Sequence, residues 1–469
     1  MDMPHFDLII IGSGSGNSIL DERFDDWNVA IVEKGVGSTG NYGGTCLNVG
    51  CIPTKMFVHT ADTASSPGVG AKLGVDLELR DVRWREIRDR IFGRIDAISD
   101  GGRRYRAEGG SNVTLFQGEA RFTGVKELTV ATADGPETIT ADRFVVAAGG
   151  RPTVPDLPGI EQVDFHTSDS VMRLDELPRR MIILGSGFVG AEFAHVFSAL
   201  GVEVTVVARS GALLRAEDED VAQRFTELAQ ARWDVRLNRK QTSVEQDGDV
   251  VRLHLDGPDG PEVVEAEQLL VAIGRTPNSD LIDAAAGGLK VREDGKVQVD
   301  AEQRTSVDGV WALGDISSDH ELKHVANHEM RVVQHNLLHP DELIDSDHTY
   351  VPHAVFSSPQ IAAVGLTEQE ARERGVDYVT KIQAYGDIAY GWAMEDSTGF
   401  LKLLADPSDG TILGAHIIGP QAPTLLQPLI QAMQFGLDAR TMARGQYWIH
   451  PAMPELIENA LLGLELQPE

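Results

Sequence analysis

The stretch Gly43-Gly44-Thr45-Cys46-Leu47-Asn48-Val49-Gly50-Cys51-Ile52-Pro53-Thr54-Lys55 holds Cys46 and Cys51, the only two cysteines among 469 residues. Two thiols this close can come within disulfide reach where the backbone kinks at the start of a first helix. The loop that such a bridge closes is tiny and adds little stability by loop entropy. A chain of this length stapled for stability would carry more cysteines, farther apart. The pair therefore reads as redox chemistry.

Upstream, Phe6-Asp7-Leu8-Ile9-Ile10-Ile11 reads as a buried parallel strand. It runs into Gly12-Ser13-Gly14-Ser15-Gly16-Asn17, a tight turn before a helix expected from about Ser18. The next strand, Val29-Ala30-Ile31-Val32, ends at Glu33, about twenty residues past the first glycine, as a dinucleotide fingerprint requires. Glycines let the backbone approach a pyrophosphate, and Glu33 can accept from ribose hydroxyls. Asn17 in place of a third glycine weakens this fingerprint taken alone. A second, complete one, Gly185-Ser186-Gly187-Phe188-Val189-Gly190, follows the strand Met181-Ile182-Ile183-Leu184 and opens a helix at about Phe188. Its next strand, Val202 to Val207, ends in Ala208-Arg209, with no carboxylate at the ribose position. An acid there would repel a 2′-phosphate, whereas the guanidinium groups of Arg209 and Arg215 can fork around one, which favours NADPH over NADH.

Residues from about Asp81 to Arg106 carry helical periodicity. The segments Thr114-Leu115-Phe116-Gln117-Gly118 and Glu127 to Thr132 suggest a small antiparallel meander. Arg143 to Pro152 and Gln268 to Asn278 echo one another through Gly150-Arg151-Pro152 and Gly274-Arg275-Thr276-Pro277. The histidine-rich stretch His339 to His348 has no recurring ligand spacing and reads as an exposed connector without a metal. Acidic residues outnumber basic ones, 72 to 41, for a net charge of −31. That surplus argues against nucleic acid or an anionic membrane as partner. No apolar run reaches membrane-spanning length, and Met1 to Ile11 lacks the pattern of a signal peptide. A catalytic pair as the sole cysteines suits a reducing compartment, so the protein is expected in the cytoplasm.

The cysteine stretch resembles the active-disulfide motif of the FAD-dependent (class I) pyridine nucleotide-disulfide oxidoreductases, and the resemblance extends over essentially the whole chain. It implies an α/β fold of two Rossmann-like dinucleotide-binding domains plus a C-terminal α+β dimerisation domain. The FAD domain would comprise residues 1–152 and 275–340, the NADPH domain 153–274 and the interface domain 341–469. Cys51 would be the thiol nearest the flavin and Cys46 the one that attacks substrate. Lys55 would sit beside the flavin, paired with and kept protonated by Glu192. FAD would contact Gly12, Gly14, Gly16, Glu33, Lys34, Thr45, Ala120, Gly149, Gly274, Arg275 and Ala326, with Asp315 on its ribityl chain. NADPH would contact Gly185, Gly187, Gly190, Arg209 and Arg215, with Phe188 covering the flavin until nicotinamide displaces it.

Near the end, Ile449-His450-Pro451-Ala452-Met453-Pro454-Glu455 sets a histidine five residues from a carboxylate. A carboxylate holds such a histidine in one tautomer and raises its proton affinity. The resemblance makes His450 with Glu455 the acid–base for the cysteines of the other subunit, hence an obligate homodimer. Within the family the start of the chain, Thr54 and the His450 segment most resemble the branch that reduces mycothione, the disulfide of mycothiol. Dihydrolipoamide dehydrogenase is the runner-up, disfavoured because that enzyme normally carries an acid where this chain has Ala208-Arg209. Glutathione reductase suits NADPH, but no residue points to glutathione. Mercuric reductase is disfavoured by the missing C-terminal cysteine pair. A flavoprotein scaffold subunit would have no reason to retain Cys46, Cys51, His450 and Glu455 together.

Overall fold

Strand His5–Ile11 takes the centre of a parallel sheet, because its alternate faces are both apolar and both buried. The computed structural model describes residues 3–37, 39–110 and 112–468. Around that strand the parallel order is Val113–Gln117, Val29–Glu33, His5–Ile11, Gly135–Val146 and Val310–Ala312. The first half of Gly135–Val146 leaves this layer and forms an antiparallel meander with Glu127–Thr132 and Glu119–Gly124. Thr114 to Gln117 therefore does not belong to the meander, as its alternation suggests, but to the edge of the parallel sheet. An edge strand buried on one face shows the same alternation as a meander strand.

The second sheet is parallel throughout, in the order Asp234–Arg236, Glu203–Val207, Arg180–Leu184, Gln268–Val271, Phe165–His166. A three-stranded meander, Lys240–Asp247, Val250–Gly257 and Gly260–Ala266, lies beside it. The two echoing segments meet each other: Gly150–Pro152 pairs antiparallel with Arg275–Pro277 where the chain leaves the first sheet and returns to it. The C-terminal part is a five-stranded antiparallel sheet, built around Ile361–Gly365, Phe400–Ala405 and Ile412–Ile418 and covered by helices Ala422–Gln434 and Glu455–Leu462. The fold is thus mixed α/β, two Rossmann-like units and a C-terminal α+β unit.

Two expectations for the connections change. The turn at Gly12 is followed not by an α-helix near Ser18 but by two single 3-10 turns, Gly16–Ile19 and Glu22–Phe24. Leu20 is extended, and the Asp21 carboxylate accepts from the Arg23 amide, starting a fresh turn instead of prolonging the first. Short polar side chains such as Asn17, Ser18 and Asp21 compete in this way with the helical ladder. The stretch His339 to His348 has no helix or strand beyond Leu338, yet His348 is no loose end: its Nε2 lies 3.1 Å from Oε1 of the buried Glu329.

One buried cluster fastens the second unit to the C-terminal one. The Lys402 ammonium, 2% exposed, meets Asp218 at 2.9 Å and also reaches Asp220 and Glu368. Asp218 caps helix Glu219–Gln230 and accepts in addition from the Glu368 amide at 3.0 Å. Lys402→Met removes the cation from a carboxylate that has no water to turn to, and is expected to cost about 3–5 kcal/mol of stability. Thermal unfolding of the flavin-loaded protein checks this; an unchanged midpoint would show that the cluster contributes no stability.

Candidate active site

The cysteine stretch folds as helix Gly44–Asn48, a break at Val49 and Gly50, and helix Cys51–Ala64. A Cβ on Gly44 would sit 2.6 Å from the Gly14 Cα, so the stretch rests directly on the first glycine turn. The break swings Cys46 back over the start of the second helix. There its sulfur lies beside the Cys51 thiol and the amides of Cys51 and Ile52, which favour its thiolate. The Cys51 hydrogen bond, the nearby Lys323 ammonium and those amides outweigh burial and pull Cys46 down to about 7. Cys51, whose proton the Cys46 sulfur beside it favours, is pushed up. In the dithiol form Cys46 is therefore the more acidic of the two thiols.

Both cysteines open onto a cavity of about 1170 Å³ that runs between the two Rossmann-like units. Gly12, Gly14, Glu33 and Lys34 of the first glycine turn and its following strand line it, with Thr45, Lys55, Ala120 and Gly149. Asp315, Ala326 and Arg275 line it as well. Gly12 (φ +102°) has its would-be Cβ 2.3 Å from the Ala147 carbonyl, and Gly185 (φ +139°) repeats this 2.1 Å from that of Ala272. Both turns therefore hug the neighbouring strand and present backbone amides outward. Gly16 does not line the cavity; its missing Cβ admits the Ala147 side chain. Glu33 is fixed by the amides of Ser13 at 2.7 Å and Gly35 at 2.6 Å, with lone pairs left for a ribose. Burial pushes the Asp315 carboxyl up, against the pull of Arg275 at 3.6 Å. Lined by a glycine turn, a ribose-ready carboxylate and both thiols, this cavity of about 1170 Å³ fits a flavin dinucleotide.

At the second turn, Gly187 caps and Phe188 opens helix Phe188–Ala199, and Phe188 stands 46% exposed at the cavity mouth. Gly185, Gly187, Gly190 and Gly274 lie outside the cavity wall, as do Arg209 and Arg215. Both arginines are exposed and neither is ion-paired among the described residues. The loop that carries them is drawn to the turn by the Leu214 amide, which donates to the Ser186 carbonyl at 2.8 Å.

The expected Lys55–Glu192 ion pair does not form. The Lys55 ammonium lies 3.9 Å over the Phe356 ring, and Glu192 accepts from the Phe356 amide at 2.8 Å. Burial lowers the Lys55 proton affinity, opposed by Asp62 and Glu192, and raises the Glu192 carboxyl to about 7. Phe356 thus takes both partners, and the lysine is not held protonated by a contact carboxylate. His450 and Glu455 are brought together, Nδ1 to Oε1 at 2.6 Å, but neither lines the cavity of its own chain.

Residues 6–332 match the pyridine nucleotide-disulphide oxidoreductases, and residues 351–461 match the dimerisation domain of that family. The chain belongs to this family. It is 53% identical over 468 residues to the mycothione reductase of Mycobacterium tuberculosis, covering 98% of this chain and 100% of that one. To the dihydrolipoyl dehydrogenase of Halobacterium salinarum it is 32% identical, covering 97% and 95%. Among solved structures, the HOCl-induced flavoprotein disulfide reductase RclA of Escherichia coli superimposes with a TM-score of 0.85 at 27% identity, over 97% of this chain and 99% of that one. Membership implies FAD, a pyridine nucleotide and a redox disulfide formed by the Cys46–Cys51 pair.

Three contributors to this oxidoreductase site carry no sequence signal of their own. Lys323, next to Cys46, donates to Ser15 at 2.7 Å, placing a cation at the glycine turn whose helix is missing. Phe356 separates Lys55 from Glu192. Asn17, the irregular fingerprint position, accepts from Tyr42 at 2.9 Å and Arg106 at 2.8 Å, so that turn is braced by side chains.

The thiol asymmetry is directly measurable. In the reduced enzyme, iodoacetamide should alkylate Cys46 first, with a rate that rises through a midpoint near pH 7 as the thiolate forms. Peptide mass spectrometry reads the position; first labelling at Cys51, or a midpoint at the ordinary thiol value, would contradict the assignment.

Proposed function

We propose that this chain is the NADPH-dependent reductase of mycothione. The 53% identity across the full length of a mycothione reductase carries the reading. The arginine pair at the second fingerprint, where a ribose-binding acid is missing, supports NADPH as the reductant. Residues 1–152 and 275–340 would bind FAD, 153–274 NADPH, and 341–469 would form the interface of a cytoplasmic homodimer.

Bound FAD supplies two-electron transfer from the nicotinamide to the Cys46–Cys51 disulfide. Phe188 shields that route until the coenzyme arrives, and Lys55 holds positive charge beside it. In the resulting dithiol, the Cys46 thiolate attacks one sulfur of mycothione. The substrate S–S bond breaks, a mixed disulfide with Cys46 forms, and the first mycothiol leaves as a thiolate. His450 of the second copy, steadied by its Glu455, protonates it. His450, now neutral, takes the Cys51 proton as the Cys51 sulfur attacks the Cys46 sulfur, which re-forms the enzyme disulfide and expels the second mycothiol, and it returns that proton to the leaving thiolate. A second copy is needed because His450 is 70% exposed and remote from its own cysteines' cavity. Tyr447 and Ile449, next to it in the chain, are also strongly exposed, as is Phe435 in the same unit, apolar surface that suits burial against another subunit.

Steady-state turnover of FAD-loaded protein with mycothione, oxidised glutathione and lipoamide, each with NADPH and NADH, tests the substrate. Mycothione with NADPH should dominate; lipoamide with NADH alone would overturn both assignments. The interface role has its own test. Cys46→Ser and His450→Ala chains, each inactive alone, should recover roughly a quarter of the native activity when co-refolded, since half the dimers then hold one intact site. No recovery in verified mixed dimers would place the acid–base within one chain.

A further inference from the structure

Glu217 is an acid in an unexpected place. It follows Arg215 by two residues, in the loop that the NADPH reading assigns to the 2′-phosphate, and it is only 5% exposed. A carboxylate there opposes a bound phosphate and competes for the guanidinium groups, by the same argument that makes the missing acid after Val207 favour NADPH. Yet Glu217 does not pair with either arginine. Both its oxygens face His353, Nε2 to Oε1 at 2.9 Å and to Oε2 at 3.0 Å. Burial disfavours the charged imidazole, but the hydrogen bond and charge of Glu217 prevail and hold His353 above its ordinary value.

The backbone on both sides of this contact is fixed. The Glu217 amide donates to the Leu214 carbonyl at 3.0 Å, and Leu214 in turn donates to Ser186 in the glycine turn. The Glu217 carbonyl accepts from Gln369 at 2.9 Å, and the next residue is Asp218 of the Lys402 cluster. His353 begins strand His353–Val355, which leads directly into Phe356, the residue that engages Lys55 and Glu192. Both Glu217 and His353 line the cavity.

We propose that His353 is a positioning residue for coenzyme specificity: by taking up the Glu217 carboxylate it leaves Arg209 and Arg215 free for the 2′-phosphate of NADPH and fixes their loop beside the strand that ends at Phe356. The proposal rests on the NADPH reading above. Removing His353 leaves the buried Glu217 carboxylate without its hydrogen-bond partner. His416 also faces it but already holds the Leu366 carbonyl, and Arg215 lies two residues before it in its own loop. Removing the Glu217 charge as well abolishes the competition, so the damage is repaired by a second substitution rather than compounded.

The test measures binding of 2′,5′-ADP and 5′-ADP to the FAD-loaded enzyme by calorimetry. His353→Ala should weaken 2′,5′-ADP by about tenfold and 5′-ADP by no more than about twofold, and adding Glu217→Gln should restore 2′,5′-ADP to within about threefold of the native value. Equal weakening of both nucleotides, or no restoration in the double variant, would overturn the proposal by reducing His353 to a packing residue. Should His353→Ala fail to fold, Glu217→Gln alone decides: it should bind 2′,5′-ADP at least as tightly as the native enzyme, and weaker binding would refute the competition. Arg209→Ala with Arg215→Ala separates the two readings. If that variant loses 2′,5′-ADP selectively while His353→Ala changes nothing, only the positioning role falls. If it shows no selectivity, the NADPH assignment falls and takes the positioning role with it.

Discussion

The sulfur of Cys46 resting on the first amides of helix Cys51–Ala64 is the contact on which the rest of the site depends. Those amides have no partner within the helix and carry the positive end of its dipole, so they favour a thiolate over a thiol. The contact exists only because the backbone breaks at Val49 and Gly50, and it is useful only if the helix cannot shift. Its buried face, Phe57, Val58 and Ala61, is clamped on two sides. Phe57 stacks on Trp84 of helix Trp84–Glu108, while Asp62 accepts from His195 of helix Phe188–Ala199 at 2.8 Å. The helix that carries the redox pair is therefore held by both Rossmann-like units at once.

The two glycine turns solve one steric problem in the same way and then diverge. In each, the first glycine lies against a carbonyl of the adjacent strand, at Ala147 and at Ala272. After the second turn an apolar sequence, Phe188 to Ala199, continues as a helix and supplies its N-terminus. After the first, Asn17, Ser18 and Asp21 divert the backbone into separate 3-10 turns, and positive charge comes instead from Lys323, across the cavity on another element. A cation on a side chain replaces one made of aligned peptide groups, and Arg106 and Tyr42 brace the turn that the absent helix would have steadied.

Legibility in the chain depends on the range of the interactions. Strand runs, glycine turns, the cysteine spacing and the His450–Glu455 pair are local, and each stands in the structure where the residues place it. The helix expected at Ser18 does not form, because glycine patterns announce a turn but not the element after it; Asp21, a capping residue, is the one local sign of the break. The strand Thr114 to Gln117 joins the parallel sheet and not the meander because alternation reports one buried face and not the identity of the neighbour. The Lys55–Glu192 pair is absent for a different reason. Opposite charges brought near each other pair only if no other group satisfies them first, and Phe356, distant in sequence, supplies an amide to one and a ring face to the other. Lys323 and the Glu217–His353 contact are illegible on the same ground, since each joins segments more than a hundred residues apart.

The hydride half and the thiol half of the proposed reaction are gathered differently, and that difference sets what one chain can reveal. Gly12, Gly14, both cysteines, Lys55 and Asp315 line one cavity. The acid–base pair sits on an exposed segment, with Tyr447 and Ile449 pointing outward beside it. In the proposed homodimer, with His450 of a second copy serving Cys46, the pocket for the disulfide substrate would be walled by residues of two chains. Recognition of a polar thiol such as mycothiol requires several hydroxyl and amide partners placed together, because each unpaired polar group in a closed pocket works against binding. On the proposed dimer those partners would come from both subunits. The redox chemistry is written in contiguous motifs of one chain, and on that proposal substrate identity belongs to the meeting of two surfaces.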